Sequence, residues 1–577
     1  MSISVQFFFN QVKLYAKEIS LGTFLLIATN GLGVYIPLLI KSLIDNLVKN
    51  NLKIDQNILF NLSLVIILAL LMAGIRTASR IVLFGIGRRV ESEQKQNFYE
   101  HLLKLDLAYF STQRIGDLIS RATNDILAIR QMMGFGLLNI VNIVWVYLLT
   151  LPIMFKLNAS LTFYILLGYL PIFMLVRHLS LQLKTKQIEA QEQLGSLSSF
   201  IEEDLNGIQV IKSYSQETRE IERFEKVNNK YLNTSTELAR WRGIIWPIME
   251  LARGISFFIL LFYVSKGLLS AGTIAAFLIY LERLLFPTAI MGWLITIFQR
   301  GAVSVQRIKE VFDEKAHIID NSANPALIVV KEANIKIQNL DFQFPDTEQK
   351  ALNNLNIEIK GGKFVGIVGL IGSGKSTLAN ALMRLIDIKP NSIFIDEQDI
   401  NNYSLSSLRQ SVALIPQETF LFNKSIKDNI LLGSGASEEE MIKASEIAQI
   451  HTEISKMPEA YNTLVGEKGV SLSGGQAQRI ALARAIIKKP RILILDDALS
   501  SVDNEIGLKI LNELQEYLKE QKQTLILITH RISSLRQAEQ IYIIEKGACI
   551  ESGNSDYLLK NSEIYQKLWK KQLTVNA

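Results

Sequence analysis

Residues 363–386 read KFVGIVGLIGSGKSTLANALMRLI. An apolar, β-branched run turns through glycines and opens into a helical pattern, so strand, loop and helix follow in succession. The loop contains Gly369-x-x-x-x-Gly374-Lys375-Ser376, the pattern of a phosphate-binding loop. Glycines let backbone N–H groups curl around a phosphate, Lys375 supplies a positive charge, and the helix N-terminus adds its partial dipole. The Ser376 hydroxyl suits Mg2+. The stretch expected to touch the phosphates is Gly369, Leu370, Ile371, Gly372, Ser373, Gly374, Lys375, Ser376 and Thr377. A chance glycine-rich turn would lack the strand before and the helix after.

Three further apolar strands end in polar groups. Residues 492–503, ILILDDALSSVD, deliver Asp496 and Asp497 side by side. Asp496 is placed to hold Mg2+ through water, and the residue after it to position or deprotonate an attacking water. TLILITH (524–530) ends in His530, suited to a γ-phosphate, and SVALIPQ (411–417) ends in Gln417. Between them LSGGQAQRIALARAI opens a strong helix with Leu472, Ser473, Gly474, Gly475 and Gln476. Its hydroxyl and glycine N–H groups form a second anion site. One nucleotide in one chain does not need two phosphate cradles.

The first 300 residues are of another kind. The chain has 577 residues, too many for one ordinary core. It is 49% hydrophobic with a positive mean hydropathy, the mark of membrane spans. Six apolar runs are long enough to cross a bilayer, at about 21–40, 57–78, 134–155, 159–178, 244–265 and 272–297. Connections after the first, third and fifth are short, whereas those after the second and fourth are long, charged and helical in pattern. Arg88, Arg89 and Lys95 follow the second run closely, so the long connections and the N-terminus are expected in the cytoplasm. The long connections read as spans continued into the cytosol. A net charge of +6 spread over both halves suits a membrane surface and points to no nucleic-acid groove. The single cysteine, Cys549, excludes an internal disulfide or a cysteine-rich metal site. No cleavable signal is expected at the N-terminus. The expected division is a membrane domain over 1–310, a linker over 311–334, and a nucleotide-binding domain over 335–577.

With these residues assembled, the chain resembles a half-size ATP-binding cassette (ABC) exporter over nearly its whole length. The resemblance implies a six-span α-helical membrane domain followed by an α/β P-loop domain with an antiparallel subdomain. It implies ATP and Mg2+ as cofactors, with Ser376, Gln417 and Asp496 toward the metal. Phe344 in DFQFPD stands where the family stacks an aromatic on adenine, LVGEKG (464–469) matches the loop before the signature, and SSVD matches the D-loop, ending at Asp503. Two such domains face head to tail, each ATP lying between one chain's P-loop and the other's Leu472–Gln476 signature. YFSTQRIGDLISRATND (109–125) and NGIQVIKSYSQE (206–217) resemble the two coupling segments.

The function implied is ATP-driven export of hydrophobic or amphipathic small molecules or lipids, by a protein of the bacterial inner membrane. Importers of the family usually carry spans and ATPase on separate chains, and a soluble ABC ATPase acting on nucleic acid leaves six spans unexplained. An ATP-gated membrane regulator is the remaining rival. No peptidase domain is expected, which disfavours a processor of peptide leaders. The family usually has Glu where Asp497 stands, and Asp is shorter by one methylene. This resembles the slow site of heterodimeric bacterial multidrug-type exporters, and favours a different half-transporter as partner. The alternative is a homodimer in which Asp497 works through a shifted water. Glu282 and Arg283 in the sixth run are either a structural ion pair or lining of the transport cavity.

Overall fold

The computed structural model describes residues 3–49, 56–320, 330–344, 347–466 and 472–575. Its contacts divide the chain into two units, 1–103 with 114–314, and 104–113 with 315–577.

The first unit contains several helices far longer than a membrane is thick. After α1 (Ile3–Leu14) come α2 (Ala16–Lys49) and α3 (Gln56–Leu102). At 47 residues α3 is about 70 Å long, more than twice the roughly 30 Å of a hydrocarbon core. Its apolar half points outward: Phe60 is 68% exposed and Leu70 69%, the arrangement expected of a helix facing hydrocarbon or a partner chain. The helix α4 (Leu107–Thr112) belongs to the second unit, so the expected coupling segment 109–125 is divided between the two. Back in the first unit, α5 (Ile115–Ser120), α6 (Ile126–Gln131) and α7 (Leu137–Leu157) form one rod interrupted by π-turns at Arg121–Asp125 and Met132–Gly136. Two further rods, α8 (Ala159–Asn206) and α10 (Glu217–Ser265), pack on each other and are joined through α9 (Ile208–Ser213). The last is α11 (Ala271–Asp313).

Among the described residues four helical stretches are long and apolar enough to cross a membrane, Ala16–Lys49, Gln56–Leu102, Ile115–Leu157 and Ala271–Asp313. The expected fourth and fifth runs lie within α8 and α10, where the described apolar stretch is Ala159–Tyr169. Polar clusters fix the rods. Asp45 accepts from the Gly272 N–H at 2.9 Å and pairs with Lys41, tying α2 to the start of α11. Arg307 of α11 reaches both Asp117 (2.5 Å) and Asp125 (2.9 Å), and the buried Asp125 also accepts from Ser304.

The second unit carries two sheets. β1 (Ile335–Phe342), β2 (Leu352–Ile359), β4 (Ile393–Ile395) and β5 (Gln398–Asp399) form an antiparallel sheet in the order β2-β1-β4-β5. The larger sheet runs β10-β9-β3-β8-β7-β6, with β3 (Phe364–Val368), β6 (Val412–Ile415), β7 (Ile492–Asp496), β8 (Thr524–Ile528) and β9 (Gln540–Glu545) parallel and β10 (Ala548–Gly553) antiparallel at its edge. Every residue of β3, β7 and β8 is buried, which is why these strands are uninterrupted apolar runs in the sequence. Separate hydrophobic cores fill the two faces. Ligand chemistry in such sheets gathers at the carboxyl ends of the strands, beside the place where chain order reverses. That place is β3, flanked by β8 on one side and β9 on the other.

Candidate functional site

The strand β3 ends at Val368, and the loop after it wraps over the N-terminus of α12 (Lys375–Leu382). Lys375 is 7% exposed, and its Nζ donates to the carbonyls of Gly369 (3.1 Å) and Leu370 (2.7 Å) and to Ser373 Oγ (3.2 Å). A buried ammonium is thus curled over neutral oxygens, in the place that an anion would share. The loop needs its glycines. Gly374 has φ +98°, and a Cβ there would stand 2.2 Å from the Ala351 carbonyl. Leu370 and Ile371 are exposed on the loop's outer side.

Asp496 closes the floor. It ends β7, is 6% exposed, and the Ser376 hydroxyl stands beside its carboxylate. Burial pushes its carboxyl above the ordinary aspartate range, against the opposing Ser376 hydroxyl and Lys375 charge. Burial likewise holds the Lys375 ammonium below its usual value, with both aspartates pulling it back up. His530, after β8, is pushed down by burial and then by Lys375. Lys375, Asp496, Asp497 and His530 therefore form one electrostatic cluster at adjacent strand ends. One carboxylate and one hydroxyl are hard oxygen donors, the kind of partial set with which Mg2+ is held together with phosphate oxygens. Among the described residues no cluster of three acids, histidines or cysteines offers a complete cage.

Asp497 sits in the left-handed region at φ +49°, a conformation that aspartate tolerates better than most residues. Its N–H donates to the Ile528 carbonyl at 2.8 Å, and the Thr529 hydroxyl lies 3.5 Å from Asp497 Oδ1. Gln417 is exposed just beyond β6, the edge strand on this side of the sheet. Phe344 follows β1, 5.0 Å from the ring of Phe342, and Ala351 in the same hairpin lies against Gly374. The hairpin bearing the aromatic is therefore seated on the phosphate loop.

The signature forms a separate structure. Ser473 caps the helix Gly474–Ile487 in a reciprocal box, its Oγ accepting from the Gln476 N–H while Gln476 Oε1 accepts from the Ser473 N–H. Gln476 Nε2 goes to Glu453, which also binds Arg479 at 2.6 Å. Gly475 lies against the carbonyl of Ser501, so the signature abuts the turn that leads to Asp503. Asp503 is the exposed N-cap of the helix Asn504–Glu520, and its side chain makes no capping bond. Leu472 is partly buried, packed against the core. The loop expected before the signature, 464–469, is described only through Gly466, residues 467–469 lying outside the described residues.

Two residues to which no motif points join these parts. Gln478 donates to Ser500 Oγ (3.2 Å) and accepts from the Ser501 N–H (3.0 Å). Arg531 donates to the carbonyls of Ser500 and Val502 and to Asn504 Oδ1. Their one signal in the sequence is position: Gln478 lies two residues past the signature, and Arg531 directly follows His530.

A phosphate-binding loop, an acid-ended strand and a capped signature helix, in one chain with helices long and apolar enough to span a bilayer, define an integral membrane protein with a nucleotide-binding domain. Comparison with known proteins then names the family. The family model of the ABC transporter transmembrane region matches residues 19–288, and that of the ABC transporter domain matches 352–500. An ATP-dependent lipid A-core flippase of Syntrophus aciditrophicus is 31% identical over 88% of this chain and 84% of its own. A Staphylococcus aureus protein that carries the name of a putative multidrug export ATP-binding/permease protein is 31% identical over 94% of this chain and 95% of its own. A bacterial Atm1-family ABC exporter, solved with ATP bound, superposes with a TM-score of 0.75 at 25% identity over 98% of both chains. The chain belongs to the ABC transporter family.

Proposed function

We propose that this chain is one half of a dimeric exporter that uses ATP to move hydrophobic or amphipathic small molecules, or lipids, across the bacterial inner membrane. Six spans cross the membrane, with the N-terminus and the domain from residue 335 in the cytoplasm. The observation that carries the reading is the Lys375–Ser376–Asp496 cluster, in the same chain as helices that turn apolar faces outward. The names of the relatives, a lipid A-core flippase and a multidrug exporter, support the substrate class.

In this reading Phe344 stacks on adenine and the backbone of Gly369–Thr377 cradles the phosphates. Lys375 leaves its carbonyl partners for the phosphate oxygens. Ser376, Asp496 and Gln417 would hold Mg2+, which would supply positive charge against the phosphates. His530 contacts the terminal phosphate, and Asp497 positions the attacking water. Leu472–Gln476 and Asp503 serve the nucleotide of the partner. The missing methylene shortens the reach of Asp497 by about 1.5 Å. General-base help is worth roughly 10²–10⁴ in rate, so this site is slow and a different half-transporter supplies the faster one.

Radiolabelled ATP binding to the chain purified alone, with its steady-state ATPase rate, tests this. Tight binding with slow turnover is expected. Full turnover by the chain alone makes Asp497 a competent base and the exporter a homodimer.

A further inference from the structure

Glu282 and Arg283 are neighbours on α11, and they go to different places. Glu282 pairs with Arg253 of α10 at 3.1 Å, both side chains about half exposed or more. Arg283 turns the other way, into α2. Its Nη2 donates to the Asn30 side-chain oxygen at 2.7 Å and to the Asn30 carbonyl at 3.1 Å. Asn30, 3% exposed, in turn donates to Asn142 of α7 at 3.1 Å. Space for the guanidinium is made by Gly33, where a Cβ would fall 1.6 Å from Arg283 Nη1.

All of these partners are neutral. Among the described residues no carboxylate lies within ion-pair distance of Arg283, its buried Nε has no acceptor, and the other formal charge that bears on it is Arg76, of like sign. Counting from Ala271, Arg283 is about 18 Å along α11, near the middle of a hydrocarbon core of roughly 30 Å. An intramembrane cation is costly unless it is paired or faces water, and such residues mark substrate paths. An architecture that places two asparagines and a glycine around a guanidinium, and withholds the acid, leaves the counter-charge to something that arrives.

We propose that Arg283 is the recognition point for the acidic head, phosphate or carboxylate, of an amphipathic substrate. Asn30 and Asn142 hold the guanidinium in position, and its unused N–H groups meet the anion in a charge-assisted fork. The inference rests on the export reading and narrows it to acidic amphiphiles.

The test is equilibrium binding of radiolabelled dodecyl phosphate to the full chain in phosphatidylcholine nanodiscs. Dodecanoate, dodecyltrimethylammonium and dodecyl maltoside serve as competitors. Saturable binding displaced by dodecanoate, but not by the cationic or neutral amphiphile, is expected. Arg283→Gln should weaken it at least tenfold while ATP binding at Lys375 is retained. Arg283→Lys, which keeps the charge but not the fork, should weaken binding and keep the preference for anions; it decides the matter if the glutamine variant does not fold. Phosphatidic acid added to the bilayer separates the sources. Displacement by it indicates a lipid, and displacement only by dodecanoate indicates a water-borne amphiphile, either of which supports the assignment. Unchanged anion preference in Arg283→Gln, or its loss in a folded Arg283→Lys, overturns the proposal. Equal binding of all the amphiphiles overturns it too and leaves the export reading standing. No binding of any of them removes the substrate class of that reading as well.

Discussion

The Arg531 guanidinium donates to the carbonyl of Ser500 at 2.5 Å and, two residues on, to that of Val502 at 2.8 Å. It holds the loop between Asp497 and Asp503 from the residue directly after His530. Through Gln478 the same loop is bonded to the signature helix. The nucleotide end of the sheet and the signature are thus joined within one chain by two side chains. Charge-assisted hydrogen bonds are worth about 1.5–3 kcal/mol each. Arg531→Ala is expected to leave ATP affinity within about twofold and to lower turnover of the assembled transporter roughly tenfold, since about 1.4 kcal/mol of barrier is a decade in rate. An unchanged turnover in steady-state assays removes Arg531 from the coupling.

Lys375→Ala removes a buried cation whose partners in this structure are neutral carbonyls and a hydroxyl. The folded domain tolerates the loss, because no buried acid is left unpaired by a direct bond. Nucleotide binding does not tolerate it, since truncating one side of a desolvated charge pair costs roughly 2–5 kcal/mol. Filter binding of ATP should show affinity at this site weakened by more than about 30-fold, with the melting temperature of the nucleotide-free protein little altered.

In the proposed reading Asp497→Glu restores reach at the water position. The left-handed backbone at φ +49° exacts a cost for the longer side chain, on the order of 1 kcal/mol, which the gain in rate exceeds. ATPase turnover should rise by at least tenfold if the site is slow because it is short. Asp497→Asn, by contrast, should leave much of the turnover of the complete transporter. A large loss in Asp497→Asn, measured on the complex, assigns the main hydrolysis to this site.

The pH response follows from His530. Burial and Lys375 hold its imidazole below the ordinary value of 6.5, so it is neutral at pH 7. A phosphate arriving beside it raises that pKa, and a group whose pKa rises on binding takes up a proton. His530 therefore adds to ATP affinity as pH falls from its raised, nucleotide-bound pKa toward its lower free one, and the gain is complete below the latter. Protonation of the nucleotide itself is common to any variant and cancels in a difference. Affinities measured between pH 5.5 and 8 should therefore diverge between the parent and His530→Gln only at the acid end, the parent being the tighter.

The parts of this protein that depend on local sequence are legible from the order of residues alone. The phosphate loop, Asp496, Gln417 and His530 each follow an apolar run of four or five residues, and all four runs are strands of one sheet. The long rods are legible too, because helical spacing continues past each apolar run with no proline in the charged connections. What distant segments decide is not. The π-turns around α6 arise in a rod braced against α11 by Arg307 and its two aspartates. The assignment of α4 to the second unit rests on partners far away in sequence, since Asp106 accepts from the N–H groups of His317 and Ile318. A 100° offset between neighbours on a helix implies that Glu282 and Arg283 part, but not that only one of them finds an opposite charge. Nor does the order of residues disclose a left-handed Asp497.

In the proposed exporter, hydrolysis moves a molecule. In the proposed orientation, everted membrane vesicles from cells that produce the chain with its partner half would have the nucleotide domain outside, where ATP and a fluorescent amphiphile can be added together. Accumulation of the amphiphile inside the vesicles is predicted; it should require ATP and Mg2+, be lost in Lys375→Ala, and collapse when the vesicles are made leaky. ATP hydrolysis without accumulation in sealed vesicles, across acidic, neutral and basic amphiphiles alike, would contradict the claim and leave an ATP-gated membrane regulator in its place.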